Sequence, residues 1–430
     1  MMKRTKIVAT IGPASEKETT LELLFRAGLD VCRLNFSHGE YLWHKNVIAR
    51  IRRVASRLKK PVAVMADIQG PRIRVANRQS FKVRKGERIF VAGKKYAHLH
   101  ERKKELVLDC NEFYQYLKIG SRIFIEDGLI VLQVIKKERL GCLVEVLEEG
   151  EIKPQKGVNI PDASTHLGFL TPKDWADLDF ILEQKVDLIA VSFVANGRQL
   201  THLRNIIQQK IQRREVADKL RLKNSQQSLE KYQPWLIAKI ERREAVRNLE
   251  GILEEADGIM VARGDLAIEM EQEKVALLQK EIIEKCLKKK KPVIVATQMM
   301  FTMEFNARPT RAEISDVTNA VIDGTDAVMF SGETAQGVFP LKVIETATKI
   351  IETTEKSPYN DRLLKGLGRF VKMIFSARRD RRKGRKRIIK VKNMQELLEL
   401  SALRQKDIKL KLTDFSFEDK KKASLVWGAE

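Results

Sequence analysis

Short runs of Val, Ile, Leu and Ala alternate along most of the chain with longer amphipathic stretches rich in Lys, Arg and Glu. Eight such runs stand out: Lys6–Ile11, Val31–Phe36, Pro61–Ile68, Asp187–Val194, Pro234–Ile240, Gly258–Val261, Pro292–Thr297 and Ala327–Phe330. They are apolar on both faces, as strands of a parallel sheet covered on both sides must be. The segments between them carry helical periodicity, for example Glu18–Ala27, His44–Leu58 and Lys274–Lys289. Eight βα repeats predict an α/β fold built on a (β/α)8 TIM barrel, whose chemistry sits at the carboxyl ends of the strands.

The strand ends carry an unusual density of reactive side chains. The first delivers Gly12-Pro13-Ala14-Ser15, the second Arg33, Asn35, Ser37 and His38, and the third Asp67. The fifth delivers Lys239 and Glu241, the sixth Gly264 and Asp265, the seventh Thr297 and Gln298, and the eighth Ser331, Gly332 and Glu333. A two-residue period places Lys239 and Glu241 on one side of their strand. An isolated Lys-x-Glu is a surface ion pair, but here a second buried run ends in Asp265 behind a glycine. Two carboxylates and a lysine over one sheet end can hold a divalent cation through oxygen ligands while the ammonium neutralises an anionic substrate.

Between the third and fourth runs the pattern changes. Residues 72–163 read as an inserted β domain, with glycine turns separating short alternating stretches such as Arg122–Val134 and Gly141–Leu147. Emerging after the third strand, this β-barrel domain overhangs the rim as a lid. The barrel then comprises residues 1–71 and 164–356, and residues 357–430 form a short, basic, divergent carboxyl-terminal region whose pieces need not make an independent core. Asn205–Gln233 reads as a helix followed by a surface loop.

Charge and cysteine content narrow the classes. The net charge is +24, and residues 357–430 hold 21 Lys and Arg against 9 Asp and Glu, including the run from Arg378 to Arg387. A basic tail raises nucleic acid as a partner, although a solvated face is the commoner reading. Cys32, Cys110, Cys142 and Cys286 are widely spaced, which argues against a zinc site or disulfide framework and for a reducing cytoplasm. The His98-x-His100 pair has no third ligand nearby and reads as structural. The amino-terminal apolar stretch is interrupted by lysine and stops at Gly12-Pro13, too short for a signal peptide, and no run is long enough for a membrane span.

Nine stretches together resemble the pyruvate kinase family to about residue 356: Thr5-Lys-Ile-Val-Ala-Thr-Ile-Gly-Pro-Ala-Ser15, Cys32-Arg-Leu-Asn-Phe-Ser-His-Gly39, Ile125-Glu-Asp-Gly-Leu-Ile130, Lys156-Gly-Val-Asn-Ile-Pro161, Ala238-Lys-Ile-Glu241, Met260-Val-Ala-Arg-Gly-Asp-Leu266, Ala296-Thr-Gln-Met299, Arg308-Pro-Thr-Arg-Ala-Glu313 and Ser331-Gly-Glu-Thr-Ala335. The resemblance implies a barrel with a hinged β lid that transfers the phosphoryl group of phosphoenolpyruvate to ADP. It implies Glu241 and Asp265 as ligands of Mg2+ (or Mn2+), and Lys239 beside the transferring phosphoryl group and the developing enolate. The same resemblance implies that Arg33 holds the phosphoryl group, that Thr297 orients the proton donor, and that backbone N–H groups around Arg263, Gly264 and Asp265 take the substrate carboxylate. Pro13, Asn35, His38, Arg74, Asp127 and Lys156 fall on the nucleotide pocket, and Asn35, Ser37, Asp67 and Ile68 on a monovalent-cation site. A homo-oligomer formed through the barrel is also implied.

One departure is informative. Asp67-Ile-Gln-Gly-Pro-Arg72-Ile-Arg74 replaces the family's common Asp-Thr-Lys-Gly-Pro-Glu-Ile-Arg form. Arg72 stands where K+-dependent members carry Glu, so an internal cation is expected to replace K+. Two rival readings are another Mg2+-dependent enolate enzyme on a similar barrel, and a catalytically weak or silent homologue whose basic tail binds RNA or another anionic partner.

Overall fold

The computed structural model describes residues 3–97, 104–126, 128–164, 168–221, 232–361, 387–391, 393–402, 408–412, 415 and 417–426. Eight parallel strands close into a barrel: β1 (Lys6–Thr10), β2 (Val31–Asn35), β3 (Ala63–Ile68), β4 (Leu188–Val191), β5 (Trp235–Ile240), β6 (Gly258–Ala262), β7 (Val293–Ala296) and β8 (Ala327–Phe330). β8 returns to β1 in the register Lys6↔Ala327 and Val8↔Met329, which completes the ring. Every predicted run contains a strand. The fourth is shorter than the run Asp187–Val194 because Phe193 turns to φ 55°, outside the extended region.

The amino-terminal rim has a fourfold device. Asp30, Asp187, Asp257 and Asp326 each immediately precede an even-numbered strand. Each carboxylate accepts a backbone N–H from the preceding odd-numbered strand: Ile7 at 2.8 Å, Val64 at 2.8 Å, Leu236 at 2.8 Å and Val293 at 3.0 Å. A strand start leaves such a donor in need of a partner, and the aspartate supplies one while fixing the register of each strand pair.

Strand periodicity decides what fills the bore. Val8, Val31, Ala63, Met65, Leu188, Ala190, Ile237, Met260, Ile294, Ala296, Ala327 and Met329 form the inner cluster. Alternate residues such as Ile7, Cys32, Leu34, Val64 and Ile189 belong instead to the larger cluster that packs the strands against the surrounding helices. Continuing the inward column by two residues reaches Thr10, Arg33, Asp67, Ser192 and Lys239. The same alternation that packs an apolar bore therefore delivers a polar ring at its carboxyl end.

The insertion is all-β. Its seven-stranded sheet runs in the order Ile73–Arg74, Gly157–Asn159, Arg122–Ile125, Ile130–Glu138, Gly141–Glu148, Arg88–Gly93 and Glu105–Leu108. A single bridge between Val75 and Leu108 brings its two edges together into a nearly closed barrel around its own apolar core. Ile73–Arg74 and Gly157–Asn159, an antiparallel pair, lie where the chain passes between barrel and lid.

Two later segments add detail that periodicity left open. The helix after β4 spans Gly197–Arg221, starting earlier than residue 205, and residues 222–231 lie outside the described residues. Near the carboxyl end, Arg387–Val391 and Ile408–Leu412 pair in parallel, flanked by helices Met394–Ala402 and Phe417–Ala423. These pieces do have a core: Val391, Leu397, Leu410, Phe415, Ala423 and Val426 pack together and against Trp235 of β5. Leu425 is fully buried within the bore cluster, and Lys421 lies 3.3 Å from Asp187. The segment thus floors the barrel. Of the basic run, residues 378–386 lie outside the described residues, as do His98 and His100.

Candidate active site

The inward ring encloses a polar cavity of ≈ 110 Å³ at the carboxyl end of the barrel. Arg33, Asn35, Ser37, Asp67, Lys239, Glu241, Asp265 and Thr297 all line it, together with Arg72. Lys239 is its centre: Nζ lies 2.8 Å from Glu241 Oε1 and 3.2 Å from Asp67 Oδ1, and donates to Ser192 Oγ at 2.9 Å. Arg33 Nε donates to Asp67 Oδ2 at 2.7 Å and Nη1 to Thr10 Oγ1 at 2.7 Å.

These contacts set the charge states. Burial alone would lower the Lys239 pKa, but Asp67 and Glu241 outweigh it and hold the ammonium above its ordinary value. Burial would raise Asp67, yet Lys239 and Arg33 together hold it below the usual carboxylate range. Glu241 behaves differently. Burial pushes it up, Lys239 opposes, and the neighbouring Asp265 charge pushes it up again. Glu241 and Asp265 are two carboxylates whose mutual repulsion a hard divalent cation relieves. Among the described residues no three His, Cys, Asp or Glu side chains gather into a metal cluster; of the carboxylates lining the cavity, Asp67 is engaged by Arg33 and Lys239, and Glu241 and Asp265 could hold a divalent cation. Two carboxylates, with water and substrate oxygens, suit Mg2+.

Asp265 opens the short helix Arg263–Glu269, which follows β6 directly. Its Oδ1 accepts from Asn159 Nδ2 at 3.5 Å and lies 3.7 Å from Arg72 Nη2, so both chain crossings to the lid reach the same carboxylate. Thr297 and Gln298, directly after β7, have φ values of 68° and 52°. For a β-branched residue this conformation is strained. The Arg263 guanidinium holds it: Nη2 donates to Thr297 O at 2.7 Å and to Gln298 O at 3.2 Å, while Nη1 donates to Asp316 Oδ1 at 2.7 Å. As a result the Arg263 side chain faces the turn, and of this segment Ala262 and Asp265, not Arg263 or Gly264, line the cavity. Thr297 Oγ1 accepts from the Gly264 N–H at 2.8 Å.

The expected nucleotide side is more dispersed. Pro13 and His38 are exposed, and neither they nor Arg74 and Lys156 line the central cavity. His38 is held below its ordinary pKa by burial and by Arg74, Arg33, Arg72 and Lys173, which marks a cationic approach to the rim. Arg74 donates through Nη1 to Gln155 O at 2.9 Å, and Lys156 is ion-paired with Glu126. Asp127 lies outside the described residues. Three of the four residues expected around a monovalent cation have oxygens engaged within the protein, Asp67 by Arg33 and Lys239, Ile68 O by Ser192 Oγ at 2.7 Å, and Asn35 Oδ1 by the Ser37 N–H at 3.1 Å, while Ser37 lines the cavity.

Three participants escaped the sequence reading. Ser192 and Thr10 sit at inward positions of their strands, a signal that parity carries. Phe193, whose N–H donates to Glu241 Oε2 at 2.7 Å, is placed by a backbone turn that parity does not reveal.

The fold and site together are a TIM barrel with an inserted β domain, and a cavity at the strand ends lined by the carboxylates of Asp67, Glu241 and Asp265 and the cations of Arg33, Arg72 and Lys239. A family profile described as "Pyruvate kinase, barrel domain" matches residues 2–344. The chain belongs to the pyruvate kinase family. It is 41% identical over 374 residues to "Pyruvate kinase" from Staphylococcus epidermidis (strain ATCC 35984), covering 84% of this chain and 59% of the relative. It is 40% identical over 361 residues to "Pyruvate kinase" from Geobacillus stearothermophilus, covering 83% and 58% respectively. "Pyruvate kinase" from Staphylococcus aureus (strain MRSA252) is 40% identical over 369 residues, with coverage of 84% and 59%. The chain therefore spans under two thirds of the length of these relatives. No described helix is long and apolar enough to cross a membrane.

Proposed function

We propose that the protein transfers the phosphoryl group of phosphoenolpyruvate to ADP, giving pyruvate and ATP. The observation that carries this reading is the Lys239 ammonium held between Asp67 and Glu241, in one cavity with Arg33, Asp265 and Thr297. Phosphoryl transfer needs positioning and neutralisation of charge more than covalent help from the protein. Arg33 and Lys239 present two cations to the phosphoryl oxygens, and their shared carboxylate Asp67 fixes both in place. Lys239 also faces the enolate oxygen as the phosphoryl group leaves, so one ammonium serves donor and product. Mg2+ or Mn2+, held by Glu241 and Asp265, would supply Lewis-acid neutralisation of the same oxygens. The backbone N–H groups of Gly264 and Asp265 take the substrate carboxylate, displacing the Gly264 bond to Thr297. The Thr297 hydroxyl, still donating to Ala296 O at 2.6 Å, then has an open lone pair to accept from and orient the water that protonates the enolate carbon.

On the nucleotide side, Pro13, Asn35, His38 and Arg74 form the approach for ADP, with Lys156 and Asp127 brought from the lid. We further propose that turnover does not require K+. The oxygens of Asn35, Asp67 and Ile68 that would bind it already accept hydrogen bonds or ion pairs, and Arg72 brings a fixed positive charge to the cavity. A homo-oligomer through the barrel belongs to the same reading. Lys239→Met should abolish pyruvate formation while keeping the circular dichroism spectrum of the folded protein, with a thermal midpoint lowered by loss of the cation between Asp67 and Glu241. Exchange of K+ for a bulky organic cation at equal ionic strength should change the wild-type rate less than twofold; strong stimulation by K+ would refute the role given to Arg72.

A further inference from the structure

The turn that follows β2 carries Asn35, Ser37 and His38, and the chain is held there in stages. Asn35 is still in the barrel ladder, paired with Asp67. The Phe36 N–H donates to Asp67 O at 2.9 Å, and Lys173 Nζ donates to Phe36 O at 2.6 Å. Beyond Phe36 the chain leaves the sheet. The His38 N–H donates back to Asn35 O at 3.2 Å, and Gly39 turns to φ 81°, a left-handed conformation that glycine adopts without strain. The helix Tyr41–Arg57 then begins.

His44 lies in the first turn of that helix, and helical side chains lean toward the helix N-terminus, which brings its ring back onto the turn. The ring is 1% exposed, stacked on Phe36 with centroids 4.1 Å apart and planes 4° apart, and edge-on to Trp43 at 4.9 Å. Nε2 lies 3.0 Å from His38 O. A carbonyl oxygen only accepts, so Nε2 carries the proton and Nδ1 the lone pair. Nδ1 is buried with no hydrogen-bond partner among the described residues. Burial holds the ring below the ordinary histidine pKa against the His38 carbonyl and Asp177, with Lys173 adding to the effect, which keeps it neutral at neutral pH. A Cβ at Gly39 would lie 3.1 Å from Trp43 Cε3 and 3.2 Å from His44 Nε2, so both rings press on the glycine backbone.

A role in packing alone would be served as well by phenylalanine, which stacks on Phe36 without burying an unpartnered nitrogen. What histidine adds is the Nε2–H on the His38 carbonyl. We propose that His44 is a positioning residue for the nucleotide: by donating to the His38 carbonyl it fixes the turn that presents His38 to ADP. The inference rests on the reading of His38 as part of the ADP approach. Arg33, Asp67 and Lys239 lie on the strands and are held by their own ion pairs. Loss of the His44 bond therefore loosens the nucleotide side and leaves the phosphoenolpyruvate side in place.

Steady-state KM values for ADP and for phosphoenolpyruvate test this on wild type, His44→Phe, His44→Gln, His38→Ala and the double variant. His44→Phe keeps the stack on Phe36 and loses the donor, so KM for ADP should rise about tenfold, while kcat and KM for phosphoenolpyruvate stay within about twofold of wild type. His44→Gln, whose amide N–H can reach the same carbonyl, should bring KM for ADP back to within about threefold of wild type. In the His38→Ala background, adding His44→Phe should change KM for ADP less than about twofold. A rise shared equally by both substrates, an undiminished rise in the His38→Ala background, or no rescue by Gln would overturn the proposal. Imidazole NMR of histidine-labelled wild type tests it without any variant: His44 should be the neutral Nε2–H tautomer at neutral pH, and its Nε2–H signal should shift when ADP is added. An Nδ1–H tautomer, or a signal indifferent to ADP, would overturn it equally. Well-folded wild type whose turnover of phosphoenolpyruvate is independent of ADP would instead overturn the nucleotide reading on which the inference depends.

Discussion

Leu425→Ala is the perturbation that tests whether the carboxyl-terminal unit is part of the barrel. Leu425 is fully buried among the bore residues, so truncation removes three carbons from a closed core without a route for water to fill the gap. Leu-to-Ala changes at such sites cost roughly 2–5 kcal/mol, the upper half applying where the surroundings cannot collapse. The β-strands of a closed barrel are poorly able to move inward, so about 3–4 kcal/mol is expected. Lys421→Met attacks the same floor by another route, because it removes the ammonium 3.3 Å from the Asp187 carboxylate, whose side chain is 1% exposed. Asp187 also holds the Val64 N–H, so this change should cost on the order of 3 kcal/mol and speed exchange of that amide. Urea unfolding followed by tryptophan fluorescence is the assay, since Trp235 is shared between the bore and the carboxyl-terminal core. If neither variant lowers the midpoint of the barrel transition, the segment does not seat in the bore and its role as a floor is wrong.

Other consequences follow from the same structure. Gly12→Ala should lower stability by roughly 2 kcal/mol or more, because the new Cβ would lie 2.5 Å from Ala335 O and 3.0 Å from its Cα, both main-chain atoms that cannot swing away; a thermal midpoint equal to wild type would contradict this. Glu269 gives a pH dependence. Burial, opposed by Arg242 and reinforced by Glu244, raises its folded-state value from the ordinary 4.5 to about 7, so the folded state binds the proton more tightly and stability falls as pH rises from about 4.5 through 7. Glu269→Gln should therefore match wild type near pH 4.5 and exceed it above pH 8 by up to about 3 kcal/mol, the shift converted at 1.36 kcal/mol per unit. A stability difference that stays constant with pH would show that Glu269 ionises freely.

Much of this architecture was legible in the sequence, for a reason that the strands make plain. Barrel strands buried on both faces leave an unambiguous apolar signal, and two-residue alternation carries that signal through to Arg33, Asp67 and Lys239 at the rim. The repeated aspartate before β2, β4, β6 and β8 was also present, but its meaning depends on which strand lies beside it, which only the closed ring reveals. The turn at Phe193 and the left-handed pair Thr297–Gln298 were hidden, since no glycine announces either; tertiary contacts from Glu241 and Arg263 hold them. Leu425 was invisible for a similar reason. A leucine after a lysine-rich helix has no local signal that it enters a bore whose walls were built hundreds of residues earlier.

The central claim is that Lys239, Arg33 and the Glu241–Asp265 pair form one phosphoryl-transfer centre. The most direct measurement is pyruvate release from phosphoenolpyruvate in a coupled assay, with ADP and Mg2+ each present or omitted. The expected result is release that requires both ADP and Mg2+, yields one ATP per pyruvate, and disappears in Lys239→Met. Well-folded wild type that releases no pyruvate under these conditions, or releases it without ADP, would contradict the account.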